Sequence, residues 1–273
     1  MPIPYFPNDN WWSLPFMASV MTFVAIVVAF YIAYKEAKRK DLNVDMFFMS
    51  ALWMGAGALI GGWLAFFLTP GPGFLNIYHP GAHSVGVIVG GGLGIAAYCL
   101  YKKENIKKKC GNLTIFFTNL AEIWGLGAMI GTFFYRIGDF LSHCIEIGTP
   151  TNLPWAVIDN GIARHPINLY YSLAGIVIFV ILIEINKIKI SKEVKGYTLT
   201  WFLMIYPLSR LFVDLYRVQY SKFFGLSVDQ LIFLLLTIQS IIAIMAIHIL
   251  YRFEKRRQFV YPPLDLIRYL LKK

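Results

Sequence analysis

The sequence predicts an all-α integral membrane protein of about seven transmembrane helices, with the N-terminus outside and the C-terminus cytoplasmic. Three observations carry that reading. Hydrophobic residues make up 58% of the 273-residue chain and charged residues only 15%, with a mean hydropathy of +0.59, far more apolar than a soluble domain needs. The apolar residues form continuous runs close to the ~20 residues that cross a bilayer core. They lack the alternation of a membrane strand, and in lipid a spanning segment must satisfy its own backbone hydrogen bonds. Finally, the basic residues are distributed unevenly between the runs.

The first span is Phe16–Tyr34. The preceding "MPIPYFPNDNWW" has no basic region, and no small-residue cleavage site follows the apolar run, so this is a retained span and not a removable signal. Trp11 and Trp12 suit an interfacial aromatic belt. Met46–Leu68 follows and contains "GAGALIGG". The third span, Ser84–Tyr101, lies within the glycine-rich "GAHSVGVIVGGGLGIAAY". No strand–helix context surrounds those glycines, which excludes a dinucleotide loop. They allow close helix packing or make room for a lipid chain. Leu113–Tyr135 is the fourth span, with "GLGAMIG" at its centre. Ile167–Ile185 is the fifth, opened by Pro166, whose missing N–H is no loss in a first turn. Tyr197–Leu215 and Val228–Tyr251 complete the set. The whole is a single transmembrane domain, residues 1–273, with small outer loops (136–166 and 216–227) and a basic cytoplasmic tail (252–273). Part of that tail, Phe259–Lys273, is suited to an amphipathic helix on the anionic inner leaflet. No internal repeat is evident, which disfavours a repeat-built transporter. Glu122 is the clear mid-span acid of the kind an ion pathway would use.

Twenty of the 25 lysines and arginines follow the first, third, fifth and seventh spans. They run from Lys35 to Lys40, Lys102 to Lys109, Lys187 to Lys195 and Arg252 to Lys273. The positive-inside rule makes that side cytoplasmic, and it accounts for a formal charge of +10 without invoking nucleic acid. Cys99, Cys110 and Cys144 have no CxxC spacing and argue neither for a disulfide framework nor for zinc.

Five basic residues remain: Arg136, Arg164, Arg210, Arg217 and Lys222. All fall at outer span ends or in outer loops, where topology does not require them. Four are arginine, whose planar fork binds phosphate or carboxylate bidentately. A charge in the membrane costs on the order of 2.5–3.5 kcal/mol at mid-span unless paired or hydrated. An anionic ligand near the outer leaflet, such as a phospholipid head group, is one reading. Structural ion pairing is the other, because Asp139, Glu146, Asp159 and Asp214 share this side, and Asp214 lies one helical turn after Arg210. Two loops add detail. "TPTNLPWAV" carries an interfacial Trp155. "ARHPINLYYSL" supplies Arg164 and His165, the latter an acid/base group or a helix-start residue, with Asn168 and Tyr171 facing the site from the first turn of the fifth span.

In order along the chain, "YRIGDFLSHCIEIGTPTNLPWAV", "ARHPINLYYSL", "YPLSRLFVDLYR" and "GLSVDQL" resemble the motif set of the prolipoprotein diacylglyceryl transferases, best over about residues 125–245. Before that, topology and glycine placement carry the similarity. The resemblance implies transfer of a diacylglyceryl group from phosphatidylglycerol to the lipobox cysteine of a prolipoprotein signal peptide, at the outer face of the cytoplasmic (inner) membrane, with release of glycerol phosphate. It implies Arg136, Arg210, Tyr206, His83 and Asp214 as catalytic residues. Asp139, Ser142, Glu146, Arg164, His165, Asn168 and Arg217 would bind substrate. Phosphatidylglycerol, lipobox peptides and membrane lipids would be the partners, with no nucleic acid, metal or cofactor.

The chain departs from the family pattern at several points. Tyr135 stands at the hallmark glycine, and Asp139 and Ser142 stand at two asparagines. The motif glutamate has no equivalent in register, with Glu146 nearby. Asn168 replaces glutamine, Asp214 replaces glutamate and Asp229 replaces glycine. His83 precedes the place of the usual histidine by two or three residues. Asp139 either pairs with Arg136 or is partly protonated. The alternatives to a lipoprotein-directed enzyme are a divergent paralogue with another lipid or acceptor, and a non-catalytic phospholipid-binding or phospholipid-moving membrane protein.

Overall fold

The computed structural model describes residues 15–68, 75, 84–142, 146, 148–218 and 226–260. Trp11, Trp12, His83, Cys144, Lys222 and the tail beyond Val260 lie outside these residues. In chain order the elements are α1 (Pro15–Arg39), α2 (Val44–Leu68), α3 (Ser84–Tyr101), α4 (Lys103–Cys110), α5 (Leu113–Leu141), β1 (Val157–Asp159), β2 (Ile162–Arg164), α6 (Ile167–Lys187), α7 (Lys189–Glu193), α8 (Tyr197–Asp214) and α9 (Val228–Val260). Among the described residues five helices, α1, α2, α5, α6 and α9, are long and apolar enough to cross a membrane, and α3 with α4 makes a sixth if that pair, bent by 81°, is one span. The remaining long helix, α8, holds Pro207 in its interior and buries Arg210 and Asp214, so its composition is diluted by the groups that matter most below.

Neighbouring helices run antiparallel. Between α2 and α3 the backbones touch: a Cβ on Gly90 would sit 2.2 Å from the Gly57 carbonyl oxygen. The close-packing reading of the glycine motifs therefore holds for this pair, since only a residue without a side chain fits. α5 is the central helix. Asn112 caps it by accepting from the N–H groups of Thr114 (2.8 Å) and Ile115 (3.3 Å), as a short polar side chain does at this position. One core cluster joins α1, α2, α3 and α5 around Phe47, Tyr98, Phe116 and Leu120, with Trp124 stacked on Phe47 at 5.2 Å. A second joins α5, α6 and α8 through Leu126, Met129, Ile178, Leu182 and Phe202. The outward faces are apolar (Leu59 is 77% exposed), as a lipid-facing surface must be.

The lysine-rich end is latched by polar contacts. Buried Glu122 binds Lys40 and accepts from the Thr198 N–H at 3.1 Å, placing a carboxylate at the positive start of α8. This acid is committed to holding α1, α5 and α8 together. At the opposite end the α5–α6 connection forms a small sheet. β1 and β2 pair antiparallel, with Asp159 opposite Ile162. Asn160 (φ 47°) and Gly161 (φ 78°) make the two-residue turn, the left-handed pair that suits a tight hairpin. Backbone bonds from His165 to Thr149 (3.1 Å) and from Thr149 to Tyr216 (2.8 Å) tie this sheet to the end of α8.

Two boundaries differ from the sequence reading. α5 continues to Leu141, so Arg136 and Asp139 are on a helix and the outer connection begins six residues later than 136. α9 continues to Val260, so the basic segment from Arg252 starts as helix.

Candidate functional site

The extension of α5 is what brings the arginines together. Arg136 lies on the α5 face toward α6 and α8. Its Nη1 donates to Glu146 Oε1 (2.7 Å), Asp139 Oδ2 (3.2 Å) and Asn168 Oδ1 (3.4 Å). Asn168 opens α6 and is buried, so its carbonyl oxygen is held against the guanidinium. Tyr171, one turn further along α6, presents its ring to both cations. The Arg210 Cζ lies 4.0 Å and the Arg136 Cζ 4.8 Å from the ring centroid. Such contacts contribute about 0.5–1 kcal/mol at exposed sites and ~2 kcal/mol or more when desolvated. The Tyr171 hydroxyl donates to Asp214 Oδ1, and Asp214 lies one turn beyond Arg210 on α8.

Arg210 is the exception in this cluster. It is 3% exposed, yet among the described residues no carboxylate comes within ion-pair distance of it. Its Nε has no hydrogen-bond partner, and its contacts are the rings of Tyr171 and, at 5.5 Å, Phe233. A buried guanidinium without a carboxylate in direct contact is costly. It is tolerated where a π face stabilises the charge and an anion can arrive.

The space it borders is a cleft of about 300 Å³. Arg136, Arg210, Tyr206 and Ser209 contribute its polar wall, and Val87, Ile88, Met129, Ile178 and Phe202 its apolar depth. Tyr206 is stacked on Phe202 at 5.8 Å and edge-on to Phe233 at 6.2 Å. Its hydroxyl makes no hydrogen bond among the described residues.

The remaining acids and bases frame the site. Glu146 joins Arg136 to Arg217, the second contact being 3.2 Å from Oε2 to Nε without hydrogen-bond geometry. Burial alone would raise its carboxyl, but the guanidiniums of Arg136, Arg210 and Arg217 together hold it below the ordinary value. Arg217 also lies 4.0 Å from Asp214. Asp139 lies 3.2 Å from Arg136 and pairs with it.

Three expected ligand-binding residues sit elsewhere. Arg164 pairs with Asp159 (3.4 Å) and donates to the Gly148 carbonyl (3.1 Å), bracing the hairpin. His165 contacts the Tyr170 hydroxyl through Nδ1 (3.0 Å) and packs against Tyr216 at 4.7 Å, and burial lowers its proton affinity. Ser142 caps α5 and donates to the Asp139 carbonyl (3.3 Å). None of the three lines the arginine cleft. Conversely, Thr132, Ser209 and Phe233 belong to the site without having been singled out. Thr132 is one turn before Arg136 on the same face and Ser209 adjoins Arg210, so both were within reach of helical spacing. Phe233 is one apolar residue among many in its span, with no mark in the sequence.

The fold and site together define a class: a multi-pass helical membrane protein with a guanidinium-lined cleft open to an anion and walled by apolar side chains. A sequence model of the family described as prolipoprotein diacylglyceryl transferase matches residues 17–246, and the chain belongs to that family of transferases. It is similar to the phosphatidylglycerol–prolipoprotein diacylglyceryl transferase of Finegoldia magna, 25% identical over 232 residues, covering 82% of this chain and 87% of the relative. The transferase of the same name from Campylobacter lari is 25% identical over 249 residues, covering 83% and 85%. That from Clostridioides difficile is 30% identical over 161 residues, covering 58% and 60%.

Proposed function

We propose that this chain is a seven-span enzyme of the cytoplasmic membrane, N-terminus outside and C-terminus inside. In this reading it transfers the diacylglyceryl group of phosphatidylglycerol to the lipobox cysteine of a prolipoprotein at the outward face. The observation that carries the proposal is Arg210, a buried guanidinium with no carboxylate at ion-pair distance among the described residues, on a cleft whose depth is apolar. The family membership supplies the reaction class, and the relatives' names supply the substrates.

The chemistry follows from charge. The cysteine thiolate attacks the glycerol carbon that bears the phosphate ester. A carbon–sulfur bond forms, the carbon–oxygen bond breaks, and its electron pair leaves on the phosphate of glycerol phosphate. The thiol proton must pass to a base, because the thiolate is the nucleophile. Negative charge grows on the bridging oxygen, and guanidiniums already fixed around the phosphate stabilise it without reorganising. Arg210 supplies its open donors. Arg136 supplies the second cation once Glu146 shares its charge with Arg217. Tyr206 places a hydroxyl at the same wall, Asp214 holds Tyr171, and His83, next in sequence to the cleft-lining helix α3, is assigned the thiol proton. The acyl chains occupy the space between Met129, Ile178 and Phe202.

Purified protein incubated with phosphatidylglycerol and a lipobox peptide tests this. Glycerol phosphate and diacylglyceryl-modified peptide in equal amounts support it. Phospholipid binding without either product overturns the enzymatic reading in favour of a lipid-binding protein.

A further inference from the structure

We infer that Tyr171 is the positioning residue that allows Arg136 and Arg210 to face one phosphate together. This rests on the transferase reading and goes beyond it. Both cationic carbons lie within 5 Å of one ring centroid, at 4.0 Å for Arg210 and 4.8 Å for Arg136. Two guanidiniums held this near one ring repel each other, and burial removes the water that would screen them. A carboxylate at position 171 would relieve the repulsion but would occupy the N–H donors that phosphate needs. An aliphatic side chain would leave Arg136 its carboxylates but take from Arg210 its nearest stabilising contact. An aromatic ring attracts cations through its face without itself taking up any of their N–H donors.

The ring is itself held in place. Asn168, one turn earlier on the same face of α6, accepts from Arg136 at 3.4 Å. At the other end of the ring, the hydroxyl donates to Asp214, which lies 4.0 Å from Arg217. Phe233 offers Arg210 a second ring at 5.5 Å, further away. Tyr171 touches no reacting atom in this account. It fixes the separation and tilt of the two groups that do.

The test compares substitutions that change the ring's electrostatics and not its shape. Wild type, Tyr171→Phe, Tyr171→pentafluorophenylalanine and Tyr171→Leu are assayed for kcat and for KM toward phosphatidylglycerol, with melting temperatures measured in parallel. Tyr171→Phe, which keeps the face and loses the bond to Asp214, is expected to lose about three-fold in kcat. Fluorination reverses the ring's quadrupole at nearly constant size and is expected to lose about 30-fold in kcat, with KM changed less. If Tyr171→Leu does not fold, the fluorinated variant still decides. Equal rates for Tyr171→Phe and Tyr171→pentafluorophenylalanine would overturn the inference, as would a Tyr171→Leu variant that turns over like wild type. An inactive wild type would instead sink the transferase reading, so the two failures are distinguishable.

Discussion

Replacing Arg210 by glutamine removes one positive charge from the cleft wall while keeping a polar side chain of comparable length. The size of the effect can be worked out two ways. A hydrogen bond to a charged group contributes ~1.5–3 kcal/mol, so a two-pronged grip on phosphate is worth roughly 3–6 kcal/mol. Direct Coulomb attraction at about 4 Å, in a medium of effective dielectric ~20, gives about 4 kcal/mol. The two overlap near 4 kcal/mol, a loss on the order of 10³-fold in kcat/KM. Arg210→Lys keeps the charge but not the fork, and a loss of about 10–100-fold is expected. The fold should barely register the change. No carboxylate is left stranded, because none lies within ion-pair distance of Arg210 among the described residues, and the melting temperature should move by less than about 4 °C, equivalent to ~1 kcal/mol in a chain of this size. The assay follows glycerol phosphate release from phosphatidylglycerol in the presence of lipobox peptide, alongside thermal melts of the same preparations. Turnover of Arg210→Gln within ten-fold of wild type would refute the reasoning, whatever happens to stability.

The other predictions separate catalytic from structural charge. Arg136→Gln strands Asp139 and Glu146 without their main partner, so it should cost about 3–5 kcal/mol of stability as well as activity, a melting-temperature drop well beyond that of Arg210→Gln. Glu146 has a carboxyl held below its ordinary value of 4.5. Its pairing therefore stabilises the fold fully above that value and is lost as pH falls through the lower folded-state value. Melts of wild type should show that acid dependence and melts of Glu146→Gln should show less of it, and identical profiles would contradict the assignment. Gly90→Val places side-chain atoms against the Gly57 carbonyl and should destabilise by about 3 kcal/mol or more, seen as a lower melting temperature. An unchanged melt would mean that α2 and α3 can separate freely.

Much of the architecture was readable because bilayer physics leaves few choices. Among the described residues a helix stands on each apolar run, and five of them, or six with the bent α3–α4 pair, are long and apolar enough to cross a membrane. The end of α5 was misjudged because hydropathy falls at Arg136, whereas the helix continues to Leu141 with Gly138 packed against Ala18 and Met21 of α1 and Asp139 paired with Arg136. The β1–β2 hairpin was overlooked although Asn160–Gly161 between apolar neighbours is a turn signal. Its strands are only three residues long, and their order comes from backbone bonds to Thr149 and Ala163 that no periodicity announces.

The site was legible in part. Arg136, Arg210, Asp214 and Asn168 stood out as polar residues where lipid-facing helices should be apolar. Arg164 and Asp159 look equally out of place in the sequence, yet they serve the hairpin. Only three-dimensional proximity separates the arginine left open to a ligand from the arginines engaged by carboxylates. The mark of the candidate site is that no carboxylate lies at ion-pair distance of Arg210 among the described residues, which one chain's sequence cannot display.

One measurement bears on the central claim most directly. Phosphatidylglycerol labelled in its head-group glycerol is incubated with lipobox peptide and either wild type or Arg210→Gln. The soluble label and the mass of the peptide are followed in the same tube. The account predicts that wild type releases labelled glycerol phosphate in step with a diacylglyceryl gain on the peptide cysteine, and that Arg210→Gln, folded and lipid-exposed, releases about a thousand-fold less. Label release by wild type without peptide modification, or equal release by both proteins, would contradict it.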